Sequence, residues 1–216
     1  TLLERPHFDN TQLFATVKGI LDDIRTRGDE AVKEYEEKFD HVKLNDLQVS
    51  EPEIKEAEET LDSELKEAIL KAKGNIEKFH KAQDQELPCV ETTKGVTCWQ
   101  KAKPIEKVGL YIPGGTAPLF STVLMLALPA QIAGCKEITL CTPPNKEGKV
   151  PPAVLFAAKV AGVKKIFKIG GVQAIGALAF GTQSVPKSYK VFCPGNQYVT
   201  AAKQLVSLRD VAIDMP

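Results

Sequence analysis

From residue 107 onward the chain alternates short apolar runs with longer helical segments, and this alternation most narrows what it can fold into. Strands are expected at 107–112, 137–142, 164–169 and 190–193, and helices at 121–134, 151–162, 171–181 and 197–208. Runs such as Ile138-Thr139-Leu140-Cys141 and Ile166-Phe167-Lys168-Ile169 are too short and too apolar for a half-exposed antiparallel sheet. They suit parallel strands covered on both faces and joined by right-handed crossovers. The order predicts an α/β fold, a Rossmann-like parallel sheet wound in both directions.

Three of the four strand ends carry glycine: Pro113-Gly114-Gly115, Gly170-Gly171 and Pro194-Gly195-Asn196. In a parallel sheet these ends share one edge, where ligands of such folds bind. The stretch 108–125, VGLYIPGGTAPLFSTVLM, joins the first strand to its helix through the paired glycines and then Thr116 and Ser121. Backbone amides at that helix start would favour an anion: phosphate, pyrophosphate or carboxylate. No G-x-G-x-x-G turn is present, and the second strand runs into Thr142-Pro143-Pro144 where a ribose-reading acid would stand. There is no G-x-x-x-x-G-K-[ST] loop either, which argues against an ordinary NTPase. Tyr111, Gln173 and Asn196 follow the first, third and fourth strands, with groups suited to ribose hydroxyls or a nicotinamide carboxamide. Each also has a local reading: core aromatic, exposed helix residue, and turn or cap.

The first half reads differently. Helices are expected at 11–26, with Asp9 and Asn10 as candidate caps, and at 30–39, with Ala31, Val32, Tyr35 and Phe39 on its apolar side. Ser50 to Glu53 has the S-x-x-E form of a capping box, opening a helical region that breaks near Asp62-Ser63 and runs to about residue 83. Alternation at 89–100 around Lys94-Gly95 predicts a hairpin. Residues 1–107 hold 24 acids and 17 bases against 4 acids and 11 bases in 108–216, so the balanced total hides a basic second half. Such a half suits a small anionic ligand, with Lys164, Lys165 and Lys168 also readable as a solvated edge.

No run reaches the length of a membrane helix and no secretory signal is recognisable, so no membrane, no nucleic acid and a cytoplasmic setting are expected. Cys89, Cys98, Cys135, Cys141 and Cys193 are odd in number with no C-x-x-C pair, which argues against a disulfide framework or a thiolate zinc site. His7, His41 and His80 form no metal motif. A nucleophilic role for Cys135, Cys141 or Cys193 lacks a nearby base, and buried small residues are expected instead.

Beyond these features, the runs RTRGDEAVKEYEEKFD, VGLYIPGGTAPLFSTVLMLALPAQIAGC, CTPP, IGGVQAIGALAFGT, SVPK, PGNQYVTAAK and IDMP occur in order along nearly the whole chain. In them the sequence closely resembles the histidinol dehydrogenase family. The resemblance implies an aldehyde-dehydrogenase-like fold with two related Rossmann-like domains, usually in a homodimer. Residues 1–107 would be a helical scaffold and the start of a split domain, and residues 108–216 an inserted NAD-binding domain. It further implies zinc- and NAD-dependent oxidation of L-histidinol to L-histidine through L-histidinaldehyde, the last steps of histidine biosynthesis. The family's NAD-contacting Tyr, Gln and Asn fall on Tyr111, Gln173 and Asn196.

The family continues past the Asp-Met-Pro run with its zinc ligands and acid–base pair, so no catalytic or metal residue is assigned here. The chain is accordingly expected to be an N-terminal portion that does not turn over substrate alone. Cys193 stands where the family commonly has Gly, and a side chain there is expected to crowd a dinucleotide; Tyr189 stands at a commonly acidic position. The alternative from the residues alone is a non-catalytic module that binds an anionic ligand or a partner chain.

Overall fold

The computed structural model describes residues 11–85, 87–115 and 118–214; the candidate caps Asp9 and Asn10, and Thr116 of the opening turn, lie outside them. The second half forms the anticipated parallel sheet. Strands β3 (Lys107–Tyr111), β4 (Glu137–Thr142), β5 (Lys165–Lys168), β6 (Lys190–Phe192) and β7 (Ala212–Ile213) lie in the order β5-β4-β3-β6-β7. All four neighbouring pairs are parallel, with Val108 opposite Ile138 on one side and Lys190 on the other. Between them run α5 (Phe120–Ile132), α6 (Pro152–Val160), α7 (Gly171–Phe180) and α8 (Gln197–Ser207). The chain steps outward from β3 to β5, then returns across to β6, so the winding reverses between β3 and β6. β7 is an addition that sequence periodicity does not anticipate, because only two residues pair there.

Side-chain alternation divides the strands between two cores. Val108, Leu110, Ile112, Ile138, Leu140 and Ile166 point to one side, where α5 and α6 cover them. Tyr111, Cys141, Phe167, Ile169, Val191 and Cys193 point to the other, under α7 and α8. The first-half helices then form an outer layer on each side. α1 (Thr11–Arg27) and α2 (Asp29–Tyr35) join the α7/α8 core through Val17, Ile20, Leu21, Ile24, Ala31 and Val32. α3 (Glu51–Thr60) and α4 (Ser63–Lys81) join the α5/α6 core through Ala57 and Ile69. The two halves of the sequence therefore share both cores, and a backbone bridge between Gln48 and Phe167 extends this to the edge strand.

Local signals account for the helix boundaries. Ser50 and Glu53 make a reciprocal capping box, the Ser50 Oγ accepting from the Glu53 amide and the Glu53 carboxylate from the Ser50 amide. Asp62 caps α4 by accepting from the Glu64 and Leu65 amides, which makes the break there a helix start. The hairpin of β1 (Cys89–Thr93) and β2 (Val96–Trp99) stands apart from the large sheet, its strand residues all exposed.

The helix expected at 30–39 needs correction. It ends as a π-helical segment, Glu36–Asp40, closed by His41 with φ 58°. The wider turn admits one extra residue and rotates the side chains after it about the helix axis. Phe39, expected inward, is 46% exposed, whereas Glu36, on a face expected to be solvated, is fully buried.

Gly176 explains how closely α1 lies on α7: a Cβ there would sit 3.1 Å from Ile24 Cδ1 and 3.2 Å from Leu21 Cδ2. Ile24 is completely buried in this contact. Truncation Ile24→Ala is expected to destabilise the whole chain by about 2–5 kcal/mol, the usual cost of a buried Ile or Leu truncation. Urea unfolding followed by amide hydrogen exchange in α5 and α6 and in α7 and α8 tests the shared core. Two separate transitions, only one of them shifted, would refute it.

Candidate functional site

A cleft of about 890 Å³ opens at the carboxyl edge of the sheet, next to the point where the winding reverses. That position and volume are those of a small-molecule or cofactor site. Its floor is made of strand ends and the turns after them: Tyr111, Pro113, Gly114 and Gly115 after β3, Thr142 and Pro143 after β4, and Gly171 and Gln173 at the start of α7. Asn196 and Tyr198 close it beside β6, and Thr16 and Ile20 of α1 with Phe39 and Asp40 of the π-helical segment form the remaining wall. The strand-end residues Tyr111, Gln173 and Asn196 are thus brought together in one cleft. The wall from the first half has no counterpart in the sequence reading.

The glycines fit this packing in specific ways. A Cβ on Gly114 would lie 2.7 Å from Pro143 Cγ, so the turns after β3 and β4 can approach only because it is absent. Around Gly115 there is open space. Gly170 is backed by Asp40 and Pro143, each with an atom 3.0 Å from where a Cβ would stand, and Gly171 has φ +50°. Both sites reward glycine, one for space and the other for backbone conformation.

Each candidate polar group already has work inside the protein. The Tyr111 hydroxyl accepts from the Gly171 amide at 3.0 Å, leaving its own proton to donate; burial pushes its ionisation well above the usual phenol range. Gln173, expected as an exposed helix residue on its local reading, is 1% exposed. Its Nε2 donates to Glu36 Oε1 at 2.9 Å and to Asp40 Oδ2 at 3.4 Å, so those two acids orient the amide. Asn196 is the N-cap of α8, its Oδ1 accepting from the Tyr198 and Val199 amides at 3.0 and 3.1 Å. Capping consumes the carbonyl and leaves Nδ2 as the group that can face a ligand. At the start of α7 the Gly170 amide donates to Glu36 Oε1 at 2.8 Å. The first amides of α7 and α8 are therefore satisfied from within. Helix α5 has no side-chain cap, and its start, in the stretch 108–125, is the natural anion-facing helix end of the cleft.

Glu36 and Asp40 are the functional residues that sequence reasoning misses. Burial pushes Glu36 up to about 8, against the lowering effect of the Gly170 and Gln173 hydrogen bonds, and Asp40 is also raised by burial. Their only sequence signal is the acidic run in EYEEKFD, which reads as a solvated helix face.

The lysines and thiols contribute less than their positions suggest. Lys165 pairs with Glu137 at 2.9 Å and Lys168 with Glu53 at 3.1 Å, outside the cleft. Cys193, whose side chain is expected to crowd a dinucleotide, is buried in the core and is absent from the residues that line the cleft. Burial raises the Cys193 thiol to about 12 and pushes Cys141 and Cys135 upward as well, the reverse of what a nucleophile needs. Tyr189 is exposed, with Lys107 Nζ 5.9 Å from its ring centre.

The family model described as histidinol dehydrogenase matches residues 3–216. Histidinol dehydrogenase from Bacteroides fragilis is 66% identical over 215 residues, covering all of this chain and 50% of that protein. The Escherichia coli K12 protein of the same name is 53% identical over 218 residues, again covering all of this chain and 49% of the relative. The crystal structure of histidinol dehydrogenase from Elizabethkingia anophelis superposes with a TM-score of 0.92 at 52% identity, over 99% of this chain and 48% of that one. The chain thus spans about half the length of the relatives it matches. With a family model matched over residues 3–216 and this identity along its whole length, the chain belongs to the histidinol dehydrogenase family.

Proposed function

We propose that the cleft binds NAD, as part of an enzyme that oxidises L-histidinol to L-histidine through L-histidinaldehyde at the end of histidine biosynthesis. The observation that carries this reading is the convergence of Tyr111, Gln173 and Asn196 on one cleft at the carboxyl edge of the sheet. The donor set suits the cofactor: a phenol proton from Tyr111, the Oε1 acceptor of Gln173, the Nδ2 donor of Asn196 and an uncapped helix start for the pyrophosphate. Phe39 and Tyr198, both 46% exposed at the rim, offer aromatic faces to a ring. When bound, NAD supplies the hydride acceptor. The residues of this chain hold and orient it, and the apolar wall of Ile20, Leu119 and Val154 excludes water from one side.

Among the described residues no three His, Cys, Asp or Glu side chains come together as a metal site. Zinc, the acid–base pair and the histidinol contacts belong, in this reading, to family residues with no counterpart in positions 1–216. The division into a first part of a split domain, residues 1–107, and an inserted cofactor domain, residues 108–216, belongs to the same reading, as do the homodimer and a cytoplasmic setting. Among the described residues no helix is long and apolar enough to cross a membrane.

Calorimetric titration with NAD tests the cleft; heat of binding is expected, and none at millimolar NAD would overturn the reading. Asn196→Ala is expected to weaken NAD about tenfold, one donor's worth of free energy. It should also destabilise the chain by about 1 kcal/mol through loss of the α8 cap. Unchanged affinity would remove Asn196 from the site. With L-histidinol, NAD and zinc together, residues 1–216 alone are expected to form no NADH, and NADH absorbance rising with time would sink that part of the proposal.

A further inference from the structure

Behind the cleft wall lies a carboxyl pair that no lysine or arginine neutralises among the described residues. Glu36 is fully buried. Its Oε1 accepts from the Gly170 amide and from Gln173 Nε2, whereas its Oε2, also buried, meets no hydrogen-bond donor among the described residues. Asp40, one turn on, shares the Gln173 amide with it and lines the cleft. Among the described residues neither carboxyl is ion-paired to Lys or Arg, and the nearest such cation on β5, Lys168, is taken by Glu53. A buried and a half-buried carboxylate sharing one amide, with no Lys or Arg paired to either among the described residues, would repel each other in a poorly solvated site. A proton on Glu36 removes one charge and supplies the donor for the side-chain hydrogen bond that links the two acids.

We propose that Glu36 is a positioning residue of the cleft: as a neutral acid joined to Asp40 it locks the Gln173 amide with Oε1 free for the cofactor, and loss of that proton loosens the lock and weakens binding. This rests on the cleft being the NAD site. The other titratable groups acting on the pair are Tyr111 on β3 and Cys141 on β4, both pushed upward by burial and hence neutral through the alkaline range, and His41, whose charge acts on Asp40. The Glu36 charge adds to the upward push on Tyr111 and Cys141, but burial is the larger cause in both, so each stays neutral with or without it and a comparison of two proteins differing only at Glu36 reads its proton. Burial raises Glu36 to about 8, which sets the window. An acid raised in the fold contributes stability below its unfolded value of 4.5, and that contribution drains away as pH climbs to about 8.

Two readouts on the full chain and its Glu36→Gln variant test this. The amide keeps a carbonyl for Gly170 and Gln173 and an N–H for Asp40, but cannot lose a proton. NAD affinity of the unaltered chain is expected to fall by up to about tenfold per pH unit above 8, while that of E36Q stays flat. In denaturant unfolding, the folding constant of the unaltered chain should drop relative to E36Q by up to about tenfold per pH unit between 4.5 and 8. An equal alkaline loss of NAD binding in both proteins, or parallel unfolding profiles, overturns the role of Glu36. Absence of NAD binding by the unaltered chain at pH 7 overturns the cofactor reading instead, and the unfolding comparison still decides whether Glu36 holds the proton.

Discussion

A parallel sheet cannot leave either face in water, and most of this structure obeys that constraint. Five strands with alternating apolar side chains present two faces, and the crossovers cover both only because the winding reverses between β3 and β6. Four crossover helices are still too apolar to form an outer surface. Every residue from Val172 to Ala179 in α7 is buried, and so are those from Ala153 to Ala158 in α6. They need a second layer, and α1 to α4 provide it. The acidic first half is therefore a cover for the basic second half, and the charge asymmetry along the sequence resolves into contacts. Lys149 pairs with Glu56, Lys159 with Glu58, and Lys168 with Glu53. What resembled a positive field for an anion is in large part the inner surface of an interface within one chain.

The same reversal creates the cleft. Helices leave β3 and β5 toward opposite faces, and the gap between the starts of α5 and α7 is where the sheet edge remains open. Tyr111 spans that gap from below by accepting from Gly171, so the residue that closes the first strand also fixes the turn after the third. Glu36 fixes the neighbouring amide from the outer layer. The site is held in place by both layers at once: its candidate polar contacts come from strand ends and the turns after them, and the outer layer adds Ile20 and Phe39 to the wall.

What the sequence made legible divides along the range of the interactions. Strands, crossover helices, the Ser50–Glu53 box and the Asp62 cap depend on neighbours within a few residues, and these lie within one or two residues of where periodicity and capping put them. Tyr111, Gln173 and Asn196 were legible because position at a strand end is a local property. Their final geometry was not. The inward turn of the Gln173 amide is imposed by Glu36 and Asp40, more than a hundred residues earlier. Glu36 opens the π-helical segment one α-turn after buried Val32 and so falls beside the apolar stripe, but an acid in an acidic run reads as solvated. Asp40 escaped notice for the same reason.

A buried acid in a helix that covers a sheet is a costly way to satisfy one glycine amide. A backbone carbonyl or a serine would satisfy the Gly170 N–H without desolvating a carboxyl group. The acid is better explained by the number of partners it serves: one oxygen takes two donors, Gly170 and Gln173, and the carboxyl is also coupled to Asp40. A planar group with two polar atoms can bridge a turn amide, a side-chain amide and a second carboxyl from a single position. The π-turn that carries it also swings Phe39 out to the cleft rim. A single extra residue in one helical turn thus sets both the polar wall and an aromatic edge of the cleft, linking its shape to the outer layer rather than to the glycine turns alone.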